Sequence, residues 1–124
     1  MNIPAELLYS ESHEWVRVTG TDSCEIGLSD FAQQELGDIV FVNLPQVGGA
    51  LKKGEPFADV ESVKAVSDIY SPVDGTVTAI NTSVLDSPEQ INKAPYETWL
   101  IKAQGTINAG ELLDAAGYEA LGAQ

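Results

Sequence analysis

The sequence is poor in basic residues: only six lysines and arginines accompany 19 aspartates and glutamates, which gives a formal net charge of -13. Nucleic acids and anionic membranes attract proteins through clusters of Lys and Arg, and the sequence contains no such cluster. Neither is therefore expected as a partner. The acidic excess favours partners with basic surfaces, and repulsion between like-charged copies favours a monomer. A purely solubilising role would fit the charge equally well.

Cysteine and histidine are scarcer still. Cys24 is the one cysteine, so no internal disulfide can form and nothing requires an oxidising compartment. His13 has no second ligand at metal-ligand spacing beyond Glu14, so no metal site is expected. The sequence also lacks an apolar run of the roughly 18 residues that a membrane span needs, and its start lacks the features of a signal peptide. These observations predict a cytoplasmic protein.

What the sequence does contain is a series of short β-like segments. With 124 residues it has the length of one domain, and we expect residues 1–124 to form a single domain. Alternating segments rich in β-branched residues are separated by Gly, Pro, Asn and Asp, which is typical of a sandwich or barrel. The predicted strands are Glu14–Thr19, Cys24–Leu28, Asp38–Leu44, Phe57–Glu61, Ala65–Tyr70, Gly75–Ile80 and Thr98–Lys102.

Two segments have helical character. The first, Ser29–Leu36, offers Ser29 or Asp30 as an N-cap and is followed by Gly37 as a stop signal. The second, Ala109–Ala123, is weakened by an internal glycine, which costs about 1 kcal/mol relative to alanine. Its predicted apolar face consists of Leu112, Leu113, Tyr118 and Leu121.

Lys64 lies between two predicted strands, in the stretch ESVKA, and no other basic residue occurs within ten positions of it. Such a spacing predicts a lysine at the tip of a hairpin. An exposed lysine has a flexible stem and a primary amine that another enzyme can reach, which covalent attachment of an acyl arm requires. Most lysines at turns are only solvated charges, and from the residues alone this plainer interpretation is favoured.

Four stretches change that balance: SHEWV (12–16), SDFAQQELGDIVFVNLP (29–45), VESVKAVSDIYSPVDG (60–75) and NKAPYETWLIK (92–102). In order and spacing they resemble the glycine cleavage H-protein family along nearly the whole chain. Lys64 falls on the position that carries lipoate in that family. Two departures are Leu28-Ser29 in place of the common Ile-Thr, and the missing glycine before Trp99, where the loop is shorter than in the family.

The resemblance implies a mainly β fold, a barrel-sandwich hybrid of the lipoyl/biotinyl type. In it, two small antiparallel sheets pack as a flattened barrel, with short peripheral helices and a C-terminal helix. It also implies a non-catalytic carrier in which the lipoyl group, covalently bound to Lys64, performs the chemistry.

The implied partners are the enzymes of glycine cleavage. The arm would take the aminomethyl group of glycine from the pyridoxal-phosphate decarboxylase (P protein) to the tetrahydrofolate-dependent aminomethyltransferase (T protein). It would then pass reducing equivalents to the dihydrolipoyl dehydrogenase (L protein). A lipoate ligase or lipoyl transferase would attach the arm.

The resemblance further implies a cleft that shelters the loaded arm from water. By analogy, Ser12, Glu14 and Asp68 lie near it, and the two carboxylates would pair with the amine of the arm. Without the resemblance, Glu14 would be an ordinary exposed acid at a strand start and Asp68 a solvated residue of the hairpin. The apolar wall of the cleft would consist of Leu28, Ala32 and Leu36.

Two alternatives remain open from the sequence. The chain could be a lipoyl-relay carrier that passes lipoyl groups to other apoproteins. It could also be an interaction protein with a β-sandwich fold whose Lys64 is never modified. The mass of the intact protein would separate the second alternative from both carrier functions.

Overall fold

The computed structural model describes residues 2–122. Within this range, nine strands form two antiparallel sheets, with four short α-helices and one 3-10 turn around them. The strands are β1 (Leu8–Tyr9), β2 (Glu14–Val18), β3 (Ser23–Leu28), β4 (Ile39–Asn43), β5 (Ala50–Leu51), β6 (Pro56–Ser62), β7 (Val66–Tyr70), β8 (Asp74–Ile80) and β9 (Ile101–Thr106). The helices are α1 (Asp30–Leu36), α2 (Ser83–Asp86), α3 (Gln90–Lys93) and α4 (Ala115–Gly122), and the 3-10 turn is Ala109–Glu111.

The larger sheet has the strand order β1-β2-β3-β9-β8-β5, and the smaller one has the order β4-β6-β7. Apolar side chains alternate along these strands and meet between the sheets. One cluster of buried side chains lies under the smaller sheet and α1, a second lies under the larger sheet, and a third surrounds Trp15. The predicted mainly β architecture with two antiparallel sheets is therefore confirmed.

Trp15 shows how close the packing is. It lies opposite Gly27 in the pairing of β2 with β3, and its indole occupies the space that a side chain at position 27 would need. The indole nitrogen donates to the carbonyl of Pro95 at 2.9 Å. Trp15 is buried, whereas Trp99 is only partly buried and lies under the ammonium group of Lys102.

The last strand begins and ends later than predicted. Residues 98–100 precede it, and the hydroxyl of Thr98 lies within hydrogen-bond distance of the carbonyls of Gln90, the first residue of α3, and Ala94, just after its end. The strand continues to Thr106 because Gly75 and Gly105 face each other in the pairing of β8 with β9. A Cβ at Gly75 would lie 2.3 Å from the carbonyl oxygen of Gln104, so this close approach of two backbones requires glycine.

The sequence predicts one helix in the C-terminal segment, and this prediction is wrong. The structure has a 3-10 turn followed by α4. Leu113 interrupts the helical path because its backbone exchanges two hydrogen bonds with Tyr9, both of 2.8 Å. Tyr118 is fully buried, as expected for the apolar face, but Leu121 is exposed. Ala123, the predicted end of the helix, lies outside the described residues. No helix within residues 2–122 is long and apolar enough to cross a membrane.

Candidate functional site

Lys64 lies in the tight turn that joins β6 to β7, at an exposed tip of the smaller sheet. The hydroxyl of Ser62 organises this turn, since it accepts hydrogen bonds from the backbone N–H groups of Lys64 at 3.1 Å and Ala65 at 3.2 Å. The backbone N–H of Ser62 in turn donates to the carbonyl of Ala65 at 2.8 Å. The turn thus fixes the backbone of Lys64, while the side chain projects from it.

The Lys64 side chain lies along the C-terminal end of α1. Its Nζ donates to the backbone carbonyl of Glu35 at 3.3 Å, one of the carbonyls that the last turn of a helix leaves without a partner. Its Cε lies close to Gly37, which ends the helix. Among residues 2–122, no carboxylate lies within ion-pair distance of this ammonium group. A single long hydrogen bond is therefore what holds the amine.

A cleft of about 410 Å³ begins where Lys64 meets α1, since Glu35 belongs both to this contact and to the wall of the cleft. The six residues predicted for an arm cleft all line this one cavity. Those six are Ser12, Glu14, Leu28, Ala32, Leu36 and Asp68. A larger depression of about 560 Å³ adjoins it at Ser12 but includes no residue of α1.

Glu14 is buried, with 1% of its surface exposed, contrary to the expectation of an ordinary exposed acid. Its Oε1 accepts hydrogen bonds from the hydroxyls of Ser10 at 2.6 Å and Ser12 at 2.5 Å, and its Oε2 accepts one from the backbone N–H of Tyr70 at 3.3 Å. Burial nevertheless raises the pKa of Glu14 to about 7, because desolvation outweighs the hydrogen bonds that the carboxyl accepts. The carboxyl therefore changes charge near neutral pH.

The other predicted cleft residues differ in exposure. Asp68 is exposed on β7, as its plainer interpretation predicts, and nevertheless lines the cavity. Leu28 and Ala32 are buried and Leu36 is half-buried, so α1 and the end of β3 provide a mostly apolar wall. The cleft consequently combines apolar side chains with the carboxyl groups of Glu14 and Asp68, and a third acid, Glu35 of α1, also lines it.

Six further lining residues were not predicted: His13, Phe31, Glu35, Val60, Ser67 and Ile69. Phe31 and Glu35 are one helical turn apart on α1, so their position follows from that of Ala32 and Leu36. His13 lies between Ser12 and Glu14 with a φ of 76°, a backbone conformation that non-glycine residues seldom adopt. Its ring packs against Phe31 at a centroid distance of 4.4 Å, and burial lowers its pKa while the nearby Glu35 opposes this effect.

This site meets the requirements of a covalently attached arm. The amine of Lys64 is exposed and has no carboxylate partner in the part of the chain that the structure describes, the turn beneath it is fixed, and a partly apolar cavity begins beside it. Together with the two packed antiparallel sheets, these features define a swinging-arm carrier domain of the lipoyl/biotinyl class.

Comparisons with known proteins identify the family. Residues 7–123 match the family model described as "Glycine cleavage H-protein". The chain is 55% identical over 119 residues to the glycine cleavage system H protein of Herpetosiphon aurantiacus, with 95% of this chain and 92% of that protein covered. It is 51% identical over 124 residues to that of Geobacillus thermodenitrificans, with 98% and 97% covered.

A crystal structure of a glycine cleavage system H protein from Mycobacterium marinum superposes with a TM-score of 0.91 at 37% identity, covering 98% of this chain and 100% of that one. The chain belongs to the glycine cleavage H-protein family. The predicted family, its barrel-sandwich fold and its non-catalytic role as a lipoyl carrier are therefore confirmed.

Proposed function

We propose that Lys64 is the residue to which lipoate is attached, through an amide bond to Nζ. The observation that supports this assignment is the exposed position of Lys64 at the tip of a fixed hairpin turn, where the Glu35 carbonyl is the one hydrogen-bond partner of its amine among residues 2–122. Amide formation would remove the charge of the ammonium group. It would leave one N–H that can still donate to that carbonyl.

The carrier serves the glycine cleavage system, with the P, T and L proteins and a lipoylating enzyme as its partners. When bound, the lipoyl dithiolane supplies the chemistry, since its sulfurs take up the aminomethyl group of glycine and the reducing equivalents. The residues of the chain hold the attachment point, accept the arm in the cleft and release it to the next enzyme.

We further propose that the carboxyl groups of Glu14 and Asp68 bind the amine of the loaded arm while Leu28, Ala32 and Leu36 exclude water from it. Burial disfavours the charged form of Glu14 and so raises its pKa. An ammonium group beside it would stabilise that charged form more than it would stabilise an exposed carboxylate. Ser12 supports this arrangement, since its hydroxyl donates to Oε1 of Glu14 and keeps that carboxyl in one orientation.

The attachment site is tested by intact mass after incubation with lipoate, ATP and a lipoylating enzyme. Wild-type protein should gain about 188 Da, the mass of a lipoyl group in an amide. Lys64→Arg should gain nothing, because a guanidinium group keeps the charge but does not form the amide. Lys52→Arg, which alters another exposed lysine, is the control and should be modified like the wild type. An unmodified wild-type protein, or a modified Lys64→Arg variant, contradicts the proposal.

The role of Glu14 is tested in loaded protein. Glu14→Ala should be lipoylated normally but should lose ammonia about fivefold faster or more, the factor that corresponds to about 1 kcal/mol of lost charge-assisted hydrogen bonding. Glu11→Ala removes an exposed acid that does not line the cleft and serves as the control. Equal decay rates in Glu14→Ala and wild-type protein would remove Glu14 from this role.

We also propose that residues 1–124 act as a single domain in the cytoplasm. Both sheets contribute to connected clusters of buried side chains, which supports one cooperative unit, and the thiol of Cys24 is buried without a disulfide. Coincident unfolding transitions by tryptophan fluorescence and far-ultraviolet circular dichroism would test the first statement. Recovery of the carrier outside the cytosolic fraction would contradict the second.

A further inference from the structure

His13 is the one histidine of the chain, and it lines the cleft together with its two polar neighbours in the sequence, Ser12 and Glu14. Its Nδ1 lies 2.7 Å from the hydroxyl of Tyr118, which belongs to α4. The same hydroxyl lies 2.6 Å from Oγ of Ser29, the N-cap residue of α1. Three residues that are far apart in the sequence thus form one chain of hydrogen bonds that ends at the cleft.

The direction of this chain follows from counting protons. Ser29 is fully buried, and its hydroxyl has two partners among the described residues: it accepts from the backbone N–H of Ala32 and contacts the Tyr118 hydroxyl. The proton of Ser29 therefore has one acceptor, the oxygen of Tyr118. Since buried hydroxyls are rarely left without a partner, Ser29 donates to Tyr118.

The same argument applies to the next link. Tyr118 is also fully buried, and burial raises its pKa to about 12, so its hydroxyl keeps its proton at neutral pH. With Ser29 as the donor to its oxygen, the remaining partner for its proton is Nδ1 of His13. Nδ1 must then be unprotonated, and in a neutral imidazole the proton resides on Nε2.

Nε2 is the ring nitrogen that takes no part in this chain of hydrogen bonds. It makes no hydrogen bond to any residue within 2–122, and no buried side-chain nitrogen or oxygen in this range lacks a partner, so Nε2 is reachable from outside the protein. His13 lines the cleft beside Lys64 and does not line the larger depression that adjoins it at Ser12. Packing of the ring against Phe31 at 4.4 Å limits its reorientation.

We propose that His13 is a positioning residue for the docked lipoyl arm: Tyr118 and Ser29 fix it as a neutral imidazole that presents a single Nε2–H donor to the cleft. An acceptor on the arm, such as the oxygen of its amide, would bind this donor. The amine of a loaded arm, as an ammonium group, would find no acceptor at His13 and would be directed to the carboxyl groups of Glu14 and Asp68. The inference rests on the proposed function, because it requires an arm on Lys64.

Because the chain contains a single histidine, nitrogen NMR of protein labelled with 15N-histidine reports on His13 without assignment. We expect a protonated Nε2 and an unprotonated Nδ1 at neutral pH in the wild type. Tyr118→Phe removes the hydroxyl but retains a ring that can stack on Tyr9, at a centroid distance of 4.6 Å in the wild type. Loss of a donor to the neutral imidazole should raise the pKa of His13 by roughly 0.4 to 1, the effect of one net hydrogen bond.

If the hydrogen bonds ran in the opposite direction, the pKa of His13 would not rise in Tyr118→Phe. If Nδ1–H donated to Tyr118, its loss would lower the pKa of His13 or leave it unchanged. A protonated Nδ1 in the wild type, or a pKa that does not rise in Tyr118→Phe, would therefore overturn the inference. Both measurements use unmodified protein and do not depend on the arm.

The contact with the arm is tested by recording the same spectrum before and after lipoylation, with intact mass measured on each sample. We expect the Nε2–H resonance to shift on lipoylation and to stay in place in Lys64→Arg treated identically. Absence of the mass gain would refute the attachment proposal. A full mass gain without a shift at Nε2 would refute the role of His13 while leaving the attachment site intact.

Discussion

The buried carboxyl of Glu14 predicts an unusual dependence of stability on pH. Its pKa is raised from 4.5 to about 7 in the folded protein, primarily by desolvation. Between these two values the folded protein binds more protons at this site than the unfolded chain does, so the free energy of unfolding falls as pH rises. Most carboxyl groups that form ion pairs act in the opposite direction, since their folded-state pKa is lowered.

The size of the effect follows from the two pKa values. Each pKa unit corresponds to about 1.4 kcal/mol, so ionisation of Glu14 should reduce stability by about 3 kcal/mol once the pH exceeds both values. Between pH of about 5 and about 8, most of this loss, roughly 2 to 3 kcal/mol, should occur. Glu14→Gln does not ionise and should lack this dependence. At high pH Glu14→Gln should be more stable than the wild type, but by less than the wild type loses on ionisation. The reason is that its amide cannot accept hydrogen bonds at both terminal atoms.

The assay is urea unfolding of unmodified protein, followed by tryptophan fluorescence at several pH values across this window. Other acidic side chains also contribute to the pH dependence, so the relevant quantity is the difference between each variant and the wild type. Glu97→Gln, an exposed residue with the same change of charge, provides the control and should follow the wild-type curve. If the curves of Glu14→Gln and the wild type run parallel, the carboxyl of Glu14 is not held in an environment that disfavours its charge.

Three further predictions concern the scaffold. Gly75→Ala should destabilise the protein by at least about 2 kcal/mol in urea unfolding, because its Cβ would lie 2.3 Å from a backbone oxygen of β9. The control Gly110→Ala should cost less than about 0.5 kcal/mol, because the nearest atom to its Cβ would be at 3.5 Å. Ser29→Ala should lower the free energy of unfolding by about 1 to 3 kcal/mol, since α1 loses its cap and the Tyr118 hydroxyl loses a donor. The control Thr82→Ala should leave it nearly unchanged, because Thr82 precedes α2 without a capping hydrogen bond. Cys24 should resist alkylation at pH of about 7 until the protein unfolds, because burial raises the pKa of its thiol to about 11; full labelling of the native protein would contradict this.

Much of the fold could be predicted because strand alternation is a local signal. Strands β2, β3, β4, β6, β7 and β8 appear within a few residues of their predicted bounds. The two-residue strands β1 and β5 were missed, because two residues cannot display a period and their pairing with Val16 and Gly75 depends on the tertiary fold. The interruption at Leu113 was missed for the same reason, since its partner Tyr9 is about 100 residues away in the sequence.

The site was predictable only in part. The cleft residues came from the family resemblance, and the structure brings all six of them to one cavity. The residues alone favoured an exposed Glu14, because nothing in a strand that begins with an acid indicates that Ser10 and Ser12 will donate to it in a buried position. The hydrogen-bonded chain through His13 joins residues 105 and 89 positions apart, a separation at which sequence patterns carry no information.

The geometry also limits how firmly the arm can be held. The arm must leave the cleft to meet each partner enzyme. Every 1.4 kcal/mol of preference for the docked state lowers the fraction of free arms about tenfold. A preference of roughly 1 to 4 kcal/mol would shelter it without trapping it, and one or two partly exposed hydrogen bonds supply that much. The site provides contacts of this kind: a single 3.3 Å hydrogen bond from Nζ of Lys64 and an exposed Asp68 that lines the cleft. The one strongly desolvated group, Glu14, would add appreciable affinity only when the arm carries a positive charge, so the cleft should retain the loaded arm longer than the empty one.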